Sequence, residues 1–146
     1  MMLNKKIAAC FLITAGAGFV SLSSFTGNHH PVLTHAQERW TAPQWADTLK
    51  SPYHDEPLTL ANGEELFGLY CASCHGESGY GDGAAGGALG QKPANFHDSL
   101  VKKQSNGSLF WKISNGNGNM PPFQDVFTAE QRWQLVAYLR KLSATE

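Results

Sequence analysis

The 146-residue sequence has almost no net charge. Eleven Lys and Arg stand against twelve Asp and Glu, with six His, for a formal −1. Phosphate binding needs clustered Lys and Arg, so a nucleic-acid partner is excluded. Cysteine is scarce: Cys10 stands alone in an apolar run, and Cys71 and Cys74 form a tight pair. An odd count with one close pair does not make a disulfide framework. Methionine is scarcer still, since Met1 and Met2 open the chain and leave only Met120. Period-two alternation is missing, which excludes a sheet, and so is any internal repeat. No apolar run reaches the ~20 residues of a membrane-spanning helix.

The longest apolar run, from Ile7 to Val20, follows Lys5 and Lys6 and precedes the small residues Ser21, Ser23 and Ser24. A basic start, a short apolar core and a small-residue zone read as an export signal over residues 1–24, or as an anchor if it is not removed. Cys10 opens the apolar run rather than following it, so it is an ordinary residue of that run and not a lipidation site. The first 24 residues hold two Lys and no acid, so their removal takes the net charge from −1 to −3.

Aromatics and glycine are plentiful: eight Phe, four Trp, four Tyr and fifteen Gly. Residues 25–58 are polar, carry His29, His30, His35 and His54, and include Trp40 and Trp45 about Pro43. Rings of that size pack on something, so this lead segment is expected to lie across the folded domain, residues 59–146. Asn62 with Glu65 suggests a capping box, followed by Gly63, Leu66, Phe67 and Tyr70 on one helical face. A glycine-rich loop runs from Gly76 to Gly90. Ser108 is the expected cap of a short helix to Ser114, stopped by Asn115-Gly116. Thr128 and Gln131 form a capping box for a last helix whose stripe includes Leu135, Tyr138, Leu139 and Leu142. The fold class is all-α.

Cys71-Ala72-Ser73-Cys74-His75 is C-x-x-C-H, the attachment motif for c-type haem. Two thiols three positions apart can add across the vinyl groups on one porphyrin edge, and the next residue, His75, can then ligate the iron. A thioredoxin-like dithiol needs a βαβ context that is lacking here, and tetrahedral zinc needs four ligands. One motif means one haem c. Met120 is the candidate second ligand: it sits in a loop, and Pro121 and Pro122 stiffen the chain beyond it. His97 is the rival, and the four lead-segment histidines read as solvated. Lys92, Lys102, Lys103 and Lys112 read as solvated lysines that could also form a docking patch.

With these residues in hand, the segment from Thr59 to Leu142 resembles a class I cytochrome c domain of the short bacterial type. Gly63 and Phe67 hold the family's glycine and aromatic ahead of the first cysteine, Leu135 and Tyr138 its last-helix pair, and Met120-Pro121 its distal loop. The resemblance implies N- and C-terminal helices crossing around one covalent haem. It implies Pro93 as acceptor of a hydrogen bond from the proximal His75. It sets Trp111 near the haem or a propionate, or else in the core. It implies transient one-electron transfer between periplasmic or membrane-bound partners, without catalysis at the iron. The alternatives are a haem subunit of a dehydrogenase or oxidase and, if Met120 does not ligate, a gas-binding or peroxide-reducing protein.

Overall fold

The computed structural model describes residues 40–53 and 56–145. The export signal, Cys10, His29, His30, His35 and His54 lie outside the described residues. A 3-10 turn, Gln44–Thr48, comes first. It is followed by α1 (Pro57–Tyr70), α2 (Ala72–His75), a 3-10 turn (Gly86–Ala88), α3 (Ser99–Lys102), α4 (Asn106–Asn115) and α5 (Ala129–Ala144). Among the described residues there is no strand, only an isolated bridge between Asn117 and Met120. None of the described helices is long and apolar enough to cross a membrane.

The first helix starts earlier than its expected cap. Pro57 occupies the first helical position and Glu56 precedes it, with no side-chain cap. Proline is preset for that position because its missing N–H would have had no partner. Asn62 is therefore interior to α1. The cap of α4 is likewise Ser105 rather than Ser108: the Ser105 hydroxyl accepts from the Ser108 N–H at 3.0 Å. The helix therefore begins at Asn106, three residues sooner than a Ser108 cap implies. The capping box of α5 forms as expected, with Thr128 Oγ1 accepting from Gln131 N–H and Gln131 Oε1 accepting from Thr128 N–H.

The core is built where α1 crosses α5. Phe67 is fully buried and tilts against Tyr138, centroids 5.4 Å apart, and meets Phe96 edge-on at 6.1 Å. Gly63 makes the crossing possible. A Cβ there would collide with the Gln134 carbonyl and come 2.8 Å from Tyr138 Cβ. Gly63→Ala is expected to force the helices apart, at a cost of about 1–3 kcal/mol that outweighs alanine's helical advantage. Gly68, five residues on and so on another face of α1, has nothing within 4 Å of its Cβ position. Gly68→Ala should stabilise by roughly 0.5–1 kcal/mol. Thermal melts of the two variants should therefore move in opposite directions.

Two arginines of α5 tie the remaining elements down. Arg132 donates to Ser114 Oγ and lies 4.7 Å over the Phe110 ring. Arg140 donates to Asn106 Oδ1 at 2.7 Å and to the carbonyls of Lys102 and Gln104. The turn before α4 is thereby fixed to the last helix. Residues ahead of α1 join the same body: Ala46 is buried, and Asp47 accepts from Ser105 Oγ and Ser108 Oγ at 2.5 and 2.7 Å.

Candidate functional site: a haem cavity

The cysteine pair sits where α1 turns into α2. Cys71 caps both, and its carbonyl accepts from Cys74 N–H at 3.1 Å and His75 N–H at 2.9 Å. This single turn brings both sulfurs and the imidazole to one wall of a cavity of about 800 Å³. Both thiols are unpaired. Burial, with a smaller contribution from Cys74, pushes the Cys71 thiol up to about 12. A thiol so reluctant to ionise is a poor dithiol redox centre, because the thiolate is the nucleophile.

The imidazole is oriented from behind. His75 Nδ1 lies 3.1 Å from the Ala94 carbonyl. A carbonyl only accepts, so Nδ1 carries the proton and Nε2 keeps a free lone pair. Burial lowers the His75 pKa, offset in part by that hydrogen bond. The ring is thus held neutral, the form in which imidazole ligates a metal. Phe96 stacks on it at 4.7 Å. The expected acceptor was Pro93. Its carbonyl instead faces the bare side of Gly81, and the next carbonyl turns to His75. Pro93 still contributes to the cavity wall.

Met120 reaches the same cavity from the loop after α4. Gly116 ends that helix at φ 63°, a left-handed geometry that favours glycine, and the Met120 carbonyl packs against its bare face. Asn117 and Met120 exchange backbone hydrogen bonds at 2.9 and 3.0 Å. Beyond the two prolines, Phe123 N–H and Gln124 N–H donate to the Ile113 and Ser114 carbonyls. Met120 is therefore held from both sides, half-buried against the core.

Two sequence expectations fare differently. Trp111 is absent from the cavity wall. On α4 the wall face comprises Ser108, Leu109, Lys112 and Ile113, and helical periodicity turns Trp111 away from it. The tryptophan that does line the cavity is Trp40, 6.5 Å from Trp111. Its place was not readable from sequence, because nothing in a polar lead segment says which face of the domain it crosses. His97 is also off the wall. Its Nε2 bonds the Ser78 carbonyl at 2.9 Å and its ring stacks on Tyr80 at 4.2 Å.

A cavity of several hundred Å³ lined mainly by apolar and aromatic groups is the size and character of a cofactor site. The donor set fits haem c: two unpaired thiols one helical turn apart, a neutral imidazole with Nε2 free, and a tethered thioether. Among the described residues no three His, Cys, Asp or Glu side chains converge to hold a bare ion.

Comparison with known proteins agrees with this geometry. The family model described as cytochrome C oxidase, cbb3-type, subunit III matches residues 58–139. The chain belongs to this cytochrome c family. Cytochrome c-L of Methylorubrum extorquens is 30% identical over 100 residues, 68% of this chain and 48% of its own. A cytochrome bc1 complex cytochrome c subunit of Corynebacterium diphtheriae is 29% identical over 93 residues, 62% of this chain and 30% of its own. The chain spans less than half the length of these curated relatives. Among solved structures, the reducing HAO-like protein complex of Kuenenia stuttgartiensis aligns at TM-score 0.57 and 25% identity, over 63% of this chain and 47% of that one. Cytochrome CL of Methylophaga aminisulfidivorans aligns at TM-score 0.52 and 21% identity, over 66% and 63%. The fold is that of class I cytochromes c, and the cytochrome carries covalently bound haem c.

The 3-10 turn Gln44–Thr48 of the cytochrome is held by a carboxylate. Hydrogen bonds from Ser105 and Ser108 keep the Asp47 pKa below its ordinary 3.8. A depressed carboxylate stabilises the docked state above its unfolded pKa and ceases to as pH falls through the folded value. The 3-10 turn Gln44–Thr48 should therefore stay docked at neutral pH and loosen only below the ordinary carboxylate range. Tryptophan fluorescence of the holoprotein, quenched by haem, should rise only in that acid range. In Asp47→Asn it should already be raised at neutral pH.

Proposed function

We propose that this cytochrome is an exported one-electron carrier whose haem is linked through Cys71 and Cys74 and ligated by His75 and Met120. The observation that carries this reading is that one cavity is walled by the C-x-x-C-H turn on α1–α2 and by the only methionine outside the chain's first two residues. The haem supplies a reversible one-electron couple. The chain's residues do the rest. Ala94 fixes the His75 ring so that Nε2 faces the cavity. The Met120 thioether would be the second protein group to hold the iron, which would leave it no site for water or substrate. Phe67, Phe96, Leu109 and Leu135 keep the wall apolar, which disfavours additional positive charge and raises the potential, as does a thioether ligand. His75 and Met120, held by the Ala94 carbonyl and the Asn117 backbone, would also keep rearrangement on electron transfer small. The cytochrome is thus a carrier rather than an enzyme.

Its place would be the periplasm, by way of the signal read over residues 1–24. Its partners would be other redox proteins, met transiently, as in small redox interfaces generally. A second reading has support from the relatives' names: one is a bc1 complex subunit and another belongs to a reducing HAO-like complex. In that reading the chain is the haem subunit of a larger assembly. Size-exclusion of the native protein tests the two. A free monomer that reduces and reoxidises reversibly fits the carrier, and co-elution with a partner in fixed ratio refutes it.

A further inference from the structure

Ahead of the family-matched residues 58–139, the described stretch that begins at Trp40 reaches into the haem cavity. Trp40 forms part of its wall, together with Gln104 and Lys112. Lys112 Nζ sits 5.1 Å over the Trp40 ring centroid and donates to Gln104 Oε1 at 2.6 Å. The lysine is half-buried, and burial lowers its pKa.

A half-buried ammonium is costly unless an anion faces it. Cation–π contact recovers only part of that cost. Among the described residues no carboxylate pairs with Lys112. The one carboxylate on the described cavity wall, Asp47, is occupied by Ser105 and Ser108. An ammonium has three N–H donors. Gln104 takes one and the Trp40 ring faces the group, so donor capacity is left for something inside the cavity. Lys92 and Lys103 also edge the wall, but both are exposed and solvated.

We propose that Lys112, set by Trp40 and Gln104, is the anion-recognition point of the cavity and pairs with a carboxylate of the bound haem. The lead segment thereby tunes the potential of the cytochrome. This rests on the haem reading above. A cation at that place opposes the extra charge of ferric iron and offsets the negative charge of the carboxylate, and both effects raise the potential. Trp40 acts through Lys112 as a positioning residue. It holds the ammonium and shields it from water, and its own position depends on the Asp47 anchor.

The test uses the isolated holoprotein, so a carboxylate from a partner cannot substitute. Two readouts are taken: the midpoint potential, and the haem propionate bending mode in the resonance Raman spectrum. Lys112→Gln should lower the potential and shift the mode. Lys112→Arg should retain both. Trp40→Leu should move both in the direction of Lys112→Gln by a smaller amount. Lys141→Gln, which removes an equal charge outside the cavity wall, should leave the mode in place. A mode identical in wild type and Lys112→Gln overturns the proposal, even if the potential falls, because the charge would then act without contact. If Lys112→Gln accumulates without haem, Trp40→Leu and Gln104→Ala are read instead, and an unmoved mode in both overturns it. Wild-type protein lacking covalent haem would refute the parent reading before any variant is made.

Discussion

Met120→Ala holoprotein should lose the weak near-infrared sulfur-to-iron band of its oxidised form, and its potential should fall by ~100 mV or more. The size follows from ligand preference. If the thioether favours ferrous over ferric iron a hundredfold, that is about 2.7 kcal/mol, and at 59 mV per tenfold for one electron it is ~120 mV. Little else should change. Met120 lies in a loop pinned by Asn117 on one side and by Ile113 and Ser114 on the other, and none of those bonds uses its side chain. His97 is not poised to replace it, since it is engaged by Ser78 and Tyr80 and is off the wall. The variant should therefore bind added imidazole or carbon monoxide where wild type does not. Survival of the band in Met120→Ala would remove Met120 from the iron. Free binding of carbon monoxide by wild type would favour the gas-binding alternative.

The second large effect is on folding. Cys71→Ala with Cys74→Ala should yield a chain without covalent haem that is largely unfolded, with far-ultraviolet circular dichroism well below wild type. The cavity of about 800 Å³ explains why. Water would enter so open a cavity without the haem, and wetting Phe67, Phe96, Leu109 and Leu135 on its wall would forfeit part of the roughly 1.5–3 kcal/mol that burying each such side chain contributes. Typical domain stability is about 5–15 kcal/mol. Collapse cannot recover this, because α1 and α5 already meet at Gly63 and α4 is held to α5 through Arg132 and Arg140. A double variant with native helicity and a cooperative melt would show that the helix pair stands without the cofactor.

Much of this site was legible in the sequence because its chemistry is local. C-x-x-C-H fits within one helical turn, so spacing alone put both sulfurs and the imidazole together. Met120 could be singled out because no other methionine follows the first two residues. The α5 capping box and the Leu135–Tyr138 stripe were equally plain, since period and caps agree there. The rest depends on tertiary choices. Pro57 starts α1, which a reading based on Asn62 and Glu65 passes over. Two short elements, Gln44–Thr48 and Ser99–Lys102, are too brief to show a period. Whether Pro93 or Ala94 bonds His75 turns on one peptide orientation, fixed by the close approach to Gly81. The exchange of Trp111 for Trp40 is the most instructive case. Trp111 is on a helix whose cavity face is set one residue away, while Trp40 arrives from a segment whose path no pattern announces.

The central claim is one covalent haem on this chain. Its most direct test is the intact mass, under denaturing conditions after acid–acetone extraction, of the mature protein purified from the periplasmic fraction of its own host. The expected mass is that of the polypeptide, shortened by its signal, plus one haem. A mass equal to the polypeptide alone, with the haem recovered in the extract, would contradict it.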